Sequence, residues 1–135
     1  MDKEIPNIMV SYINQATPRR ENLDAWKKAR EIVNNIYKAT TEQKYSKDYG
    51  LKDQIRRAAI SIMSNISEGF GRETDKEFTR YLYIAKASAA EVQSQLYISL
   101  DQKYINQKEF DKIYDSLDHC SRMIANFIKY LKTDA

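Results

Sequence analysis

The chain is short of the residues that make tight turns, cross-links and metal sites: among 135 residues there are three glycines, two prolines, one cysteine and one histidine. So few glycines and prolines cannot supply the many turns of a β-sandwich or barrel, nor a glycine-rich phosphate loop of an α/β fold. An all-α protein is what remains. A lone cysteine, Cys120, excludes an intrachain disulfide and a cysteine-based zinc site, and it points to a reducing compartment. No run approaches the roughly eighteen apolar residues of a membrane span. Residues 1–10 carry Asp2, Glu4 and Pro6 where a signal peptide needs a basic end and an unbroken apolar stretch. A cytoplasmic protein that makes no use of a membrane is expected.

What is present is apolar periodicity. Both prolines, Pro6 and Pro18, fall in residues 1–21, which read as an N-terminal arm ahead of a domain spanning 22–135. From Glu73 to Ala135 there is neither glycine nor proline, so this half is expected to be long helices joined without a left-handed residue. A first helix is expected over 22–44 on Trp26, Ala29, Val33, Ile36 and Thr40. A second starts near Asp48, repeats Leu51, Ile55, Ala58, Ile62 and Ile66, and reaches Gly69, which suits a left-handed cap. Thr74 with Glu77, and Asn106 with Glu109, have capping-box spacing. They launch a third helix on Phe78, Leu82, Ala85, Ala89, Val92 and Leu96, and a fourth on Phe110, Ile113, Leu117, Cys120, Ile124, Phe127 and Leu131. Short connections force antiparallel neighbours, so the expected architecture is an up-down-up-down four-helix bundle.

Chemistry is sparse. His119 has Asp115 one turn before it, but adjacent Cys120 points about 100° away into the core, so no nucleophile, base and orienter converge. No catalytic residue, metal ligand or cofactor is assigned. The net charge is +3, and its distribution says more than its size. Residues 22–72 hold 10 basic and 6 acidic side chains, a surplus of 4, while the rest hold 12 against 13. Nucleic-acid contact is therefore assigned to Lys52, Arg56, Arg57 and Arg72 of the second helix, since a guanidinium fork suits phosphate. Beside its apolar stripe, that helix carries Arg57, Ser61, Asn65, Glu68 and Arg72 at nearly one-turn steps. Asn65 and Glu68 are read as a structural polar network, Glu68 reaching Arg72 across one turn. The third helix has a second stripe, Tyr83, Ala87, Ala90, Ser94, Tyr97 and Tyr104, turned about 100° from the core stripe and rich in small residues and tyrosine. That composition suits a surface where copies of the chain associate.

The stretch Tyr49-Gly-Leu-Lys-Asp-Gln-Ile-Arg-Arg-Ala-Ala-Ile-Ser-Ile-Met-Ser-Asn-Ile-Ser-Glu-Gly-Phe-Gly-Arg72 resembles the signature of the 23S rRNA intervening-sequence protein family, the four-helix-bundle or S23 proteins. The likeness continues through Lys76-Glu77-Phe78, Tyr81-Leu82, Ile84-Ala85-Lys86 and Glu91 to Leu96, and reaches back to Trp26-Lys27-Lys28-Ala29. It departs at Ser67, where alanine is common, at Ala87, where glycine is common, and at Lys103, where glycine often precedes Tyr104. The resemblance implies a bacterial four-helix bundle that assembles as a ring-shaped homopentamer and has no enzymatic activity. It implies structured RNA as a partner by association with rRNA genes. A more distant relative serves as an accessory to a reverse transcriptase, so the alternative is a protein-interaction adaptor.

Overall fold

The computed structural model describes residues 23–133, and every regular element among them is helical. The elements are α1 (Asp24–Thr41), α2 (Gln43–Ser46), α3 (Tyr49–Phe70), α4 (Asp75–Asp101) and α5 (Gln107–Lys132). The arm expected at residues 1–21 lies outside the described residues. The four long helices close a ring of contacts, α1 on α3, α3 on α4, α4 on α5 and α5 on α1. α3 and α4 run antiparallel, as do α4 and α5. Gly69 at the end of α3 lies against Phe78 at the start of α4, and Ser61 meets Ser88 farther along. Gln93 of α4 reaches Asp118 of α5, while Lys132 at the end of α5 returns to Tyr83 near the start of α4.

The expected apolar stripes of the second, third and fourth long helices are buried at every position named. Each fully buried Leu, Ile or Phe contributes roughly 1.5–3 kcal/mol by leaving water. In α1 the stripe is turned. Its centre is Ala25, Ala29, Ile32, Ile36 and Ala39, and Trp26 and Val33 are only half-buried on its flank. Alanines at the centre let α1 sit close to its neighbours, and the bulkier side chains fill the edge.

Three expectations about helix ends are overturned. The first helix stops at Thr41 rather than 44, because Glu42 takes an extended ψ of 143° before the single turn of α2. Continued as a helix, the chain would carry Tyr45 round to the solvent side, about 200° from Ala25 at 100° per residue. With the break, Tyr45 is 1% exposed and its hydroxyl lies 2.5 Å from Ser99 Oγ. Gly69 is not a left-handed cap. No glycine among the described residues has positive φ, and Gly69 is a buried residue inside α3. A Cβ there would sit 2.8 Å from Phe78 Cδ1 and 2.8 Å from Tyr81 Cβ, so its lack of a side chain serves the close approach of α3 to α4. Finally, the α4–α5 connection does use a left-handed residue, Lys103 at φ 63°. The Lys103 and Tyr104 N–H groups donate to Leu100 and Ser99 carbonyls, both at 2.9 Å, which is the Schellman closure that normally recruits glycine.

The helix starts follow their capping residues. Asp48 accepts from the Leu51 N–H at 3.1 Å, and Thr74 Oγ1 accepts from the Glu77 N–H at 3.2 Å. Only α5 has the full box: Asn106 Oδ1 accepts from the Glu109 N–H at 2.8 Å, and Glu109 Oε1 accepts from the Asn106 N–H at 3.2 Å.

Candidate functional site

The polar stripe of α3 resolves into three local units rather than one network. Arg57 donates through Nε to Asp53 at 2.9 Å, and both side chains are well exposed. Asn65 Nδ2 donates to the Ser61 carbonyl at 2.8 Å and to Ser61 Oγ at 3.0 Å, and Ser61 Oγ lies 2.8 Å from Ser88 Oγ of α4. Asn65 thus orients the hydroxyl that bridges the two helices. Glu68 pairs with Arg72, and Arg72 also donates to the Tyr81 hydroxyl at 2.8 Å with its guanidinium 4.9 Å from the Tyr81 ring centre. Glu68 and Arg72 therefore clip the end of α3 to α4. Exposed pairs of this kind add at most a few tenths of a kcal/mol each.

The four basic residues assigned to nucleic acid do not share one face. Arg57 and Arg72 turn toward the α4 side and are each held by a carboxylate. Lys52 and Arg56 turn toward α1 and form no ion pair among the described residues. Arg56 is anchored differently: its guanidinium stacks 4.2 Å from the ring centre of Tyr37, and its Nε donates at 2.8 Å to Thr40 Oγ1. Thr40 is fully buried, and its hydroxyl donates in turn to the Ile36 carbonyl at 2.8 Å. This relay fixes the plane of the guanidinium while both terminal NH2 groups make no hydrogen bond to a described residue. One turn earlier, Lys52 sits 5.2 Å from the ring centre of Tyr49, which is 73% exposed.

From the sequence, Thr40 was read only as part of the first helix's buried stripe and Tyr49 only as the start of the family-like stretch, and Tyr37 was given no role. Tyr49, Lys52 and Arg56 stand at i, i+3 and i+7, a spacing that puts them on one side of a helix, so Tyr49 was within reach of the pattern. Tyr37 and Thr40 join only because α1 packs on α3 at this level.

A second surface lies on α4, on the side away from the core. Between Tyr83 and Ile98 nine residues are exposed, and only Lys86 and Glu91 among them are charged. Tyr83, Ala87, Ala90, Ser94 and Tyr97 of the expected stripe are all exposed, and Ile84 and Ile98 widen the face. Tyr97, half exposed, leans on Phe110 and Tyr114 of α5 at 4.9 and 5.8 Å between ring centres. Tyr104 does not belong to the stripe. It follows the end of α4, stacks on Tyr45 at 4.9 Å and donates to Asp48 Oδ2 at 2.9 Å. That hydrogen bond to a carboxylate raises the Tyr104 pKa above the usual 10.0.

His119 and Asp115 are exposed on α5, and the buried Cys120 points elsewhere, donating weakly to the Ala25 carbonyl at 3.7 Å. Burial pushes the Cys120 thiol up to about 12, so no thiolate forms near neutral pH. A shallow cavity of about 700 Å³ beside α2 is lined by Glu42, Lys44, Lys47, Tyr104 and Glu109 among others, a mixture of charges without a nucleophile beside a base. Among the described residues no group of three His, Cys, Asp or Glu side chains is placed to hold a metal. None of their helices is long and apolar enough to cross a membrane.

Residues 21–126 match the family model of the 23S rRNA-intervening sequence protein. The chain belongs to this family. A crystal structure of a protein of unknown function from the S23 ribosomal protein family, from Bacteroides thetaiotaomicron VPI-5482, has the same fold. Its TM-score is 0.71 at 24% identity, over 78% of this chain and 98% of that one. No curated protein matches the chain. Membership in the intervening-sequence family covers α1, α3 and α4 entirely and α5 in large part, so both surfaces described above lie inside the family domain.

Proposed function

We propose that this intervening-sequence family protein is a non-enzymatic, self-associating helical bundle that binds structured RNA in the bacterial cytoplasm. The outer face of α4 is the seam between copies, and Lys52 with Arg56 is the phosphate contact. The observation that carries the reading is the separation of the two surfaces. The apolar face belongs to α4, whereas Lys52 and Arg56 lie on the α1 side of α3. Association through α4 therefore leaves the basic edge open, and repeats it once per copy. Two cations give little affinity alone, but several linked copies convert weak contacts into avidity. Five copies is the number that the family resemblance implies. Arg57 and Arg72 keep a supporting role, since each is already paired with a carboxylate four residues before it.

Salt dependence of binding is the test. The affinity for a structured RNA should fall linearly on a log–log plot, with a slope of about 0.7–0.9 per phosphate neutralised. Replacing Lys52 and Arg56 together by alanine should weaken binding and flatten that slope, and replacing Arg57 should do neither to a comparable extent. RNA binding that is absent at low salt would refute the reading. The exposed apolar face of α4 favours one alternative, an adaptor that lays this face on a partner protein such as a reverse transcriptase. A pure protein that stays monomeric and binds no RNA would favour that adaptor.

A further inference from the structure

The proposed RNA reading leaves open which form of RNA the basic edge recognises, and the edge itself answers in its aromatic residues. Two ring–cation pairs lie one turn apart on this edge: Arg56 lies 4.2 Å from the Tyr37 ring centre and Lys52 lies 5.2 Å from that of Tyr49. Tyr49 is 73% exposed and Tyr37 is 39% exposed. The acidic residues nearby in sequence are already engaged. Asp53 is held by Arg57 at 2.9 Å, and Asp48 accepts from the Leu51 N–H and from the Tyr104 hydroxyl at 3.1 and 2.9 Å. Asp48 keeps its charge, but residues 48–57 hold three cations, Lys52, Arg56 and Arg57, against Asp48 and Asp53, so the start of α3 stays net positive.

We infer that this edge binds unpaired nucleotides, one phosphate seated on the Arg56 fork and an adjacent base stacked on Tyr49. The inference rests on the RNA reading above and goes beyond it. In a duplex the bases are stacked on one another and offer no face to a side chain, whereas loops, bulges and single strands can splay a base onto a ring. A site built for duplex phosphates alone has no use for an exposed tyrosine beside its cations. The Arg56 guanidinium is also held in advance. Tyr37 fixes its plane and the Thr40 hydroxyl takes its Nε–H, so it loses little freedom when a phosphate arrives. Thr40 is a positioning residue here, and it touches no nucleotide.

The test uses the full chain and two probes at equal salt, a sixteen-nucleotide mixed-sequence single-stranded RNA and the duplex formed with its complement, read by fluorescence anisotropy. The single strand is expected to bind more tightly. Tyr49→Ala should weaken single-strand binding about five-fold or more, with the salt slope kept, because a stacking contact carries no charge. Tyr49→Phe should retain the affinity, since the ring and not the hydroxyl does the stacking. Circular dichroism of both variants checks that the helices persist. Duplex bound as tightly as the single strand, or a single-strand affinity unchanged by Tyr49→Ala, overturns the inference. If that happens while Lys52→Ala with Arg56→Ala still flattens the slope, the RNA reading stands and stacking alone is wrong. If neither probe binds to the parent protein, both fail together.

Discussion

The helices α4 and α5 are nearly equal in length, 27 and 26 residues, and each buries an unbroken apolar stripe from end to end. Their outer sides are unlike. Every exposed position of α5 is polar or charged, from Gln107 and Lys108 through Asp115, His119 and Arg122 to Lys132. The exposed positions of α4 between Tyr83 and Ile98 are mostly apolar or small. Since α5 shows that this bundle needs no apolar residue on its solvent side, the α4 face is not explained by folding of one copy. A contiguous apolar face on a protein surface marks a place where something packs.

The comparison makes demands that differ in size. Inner faces should be equivalent: Leu96→Ala in α4 and Phe127→Ala in α5, both at most 1% exposed, should each cost about 2–5 kcal/mol in denaturant unfolding. The start of α4 should be the least tolerant of added volume. Gly69→Ala drives a methyl to 2.8 Å from Phe78 and Tyr81, and should cost about 1–3 kcal/mol by overpacking. Helix ends should differ as well. Asn106→Ala removes a reciprocal box from α5 and should cost about 1 kcal/mol, whereas Thr74→Ala removes a single bond from α4 and should cost about half as much. Lys103→Gly at the end of α4 should instead raise the unfolding free energy by about 0.5–1 kcal/mol, since glycine accepts positive φ without the Cβ clash. The last expectation concerns pH. Burial raises the Tyr45 pKa above 10.0, so the stability that the neutral phenol contributes is present below about pH 10 and falls as pH rises through the higher folded value. Tyr45→Phe should reduce that alkaline loss in melting curves taken at stepped pH.

The bundle was legible because its inner stripes are strictly periodic, and α5 above all carries a stripe on one side only. Helix ends were harder to read. The sequence holds no local sign that Glu42 breaks the helix, because the benefit is the burial of Tyr45 against Ser99, 54 residues away. Gly69 looked like a cap from its place near the end of the apolar repeat, but the constraint comes from Phe78 and Tyr81 on another helix. Lys103 was concealed by its residue type, although the glycine that often stands there in the resembling family was a sign of its positive φ. At the candidate site, the charges could be counted from the sequence and their pairing could not. Glu68 one turn before Arg72 was read as its partner, the equivalent spacing of Asp53 and Arg57 was not, and the anchoring of Arg56 depends on Thr40 and Tyr37 of α1.

Whether the outer face of α4 joins copies is read directly by sedimentation equilibrium of the purified chain over micromolar concentrations. The mass should be a multiple of the 15.8 kDa chain. Tyr83→Glu with Ala90→Glu should bring that mass down to one copy by placing charge without a partner in the seam. The matched control on α5, His119→Glu with Arg122→Glu, should leave it unchanged. A single-copy mass for the parent protein throughout that range, or an assembly that survives the α4 pair and dissociates with the α5 pair, would contradict a seam on α4.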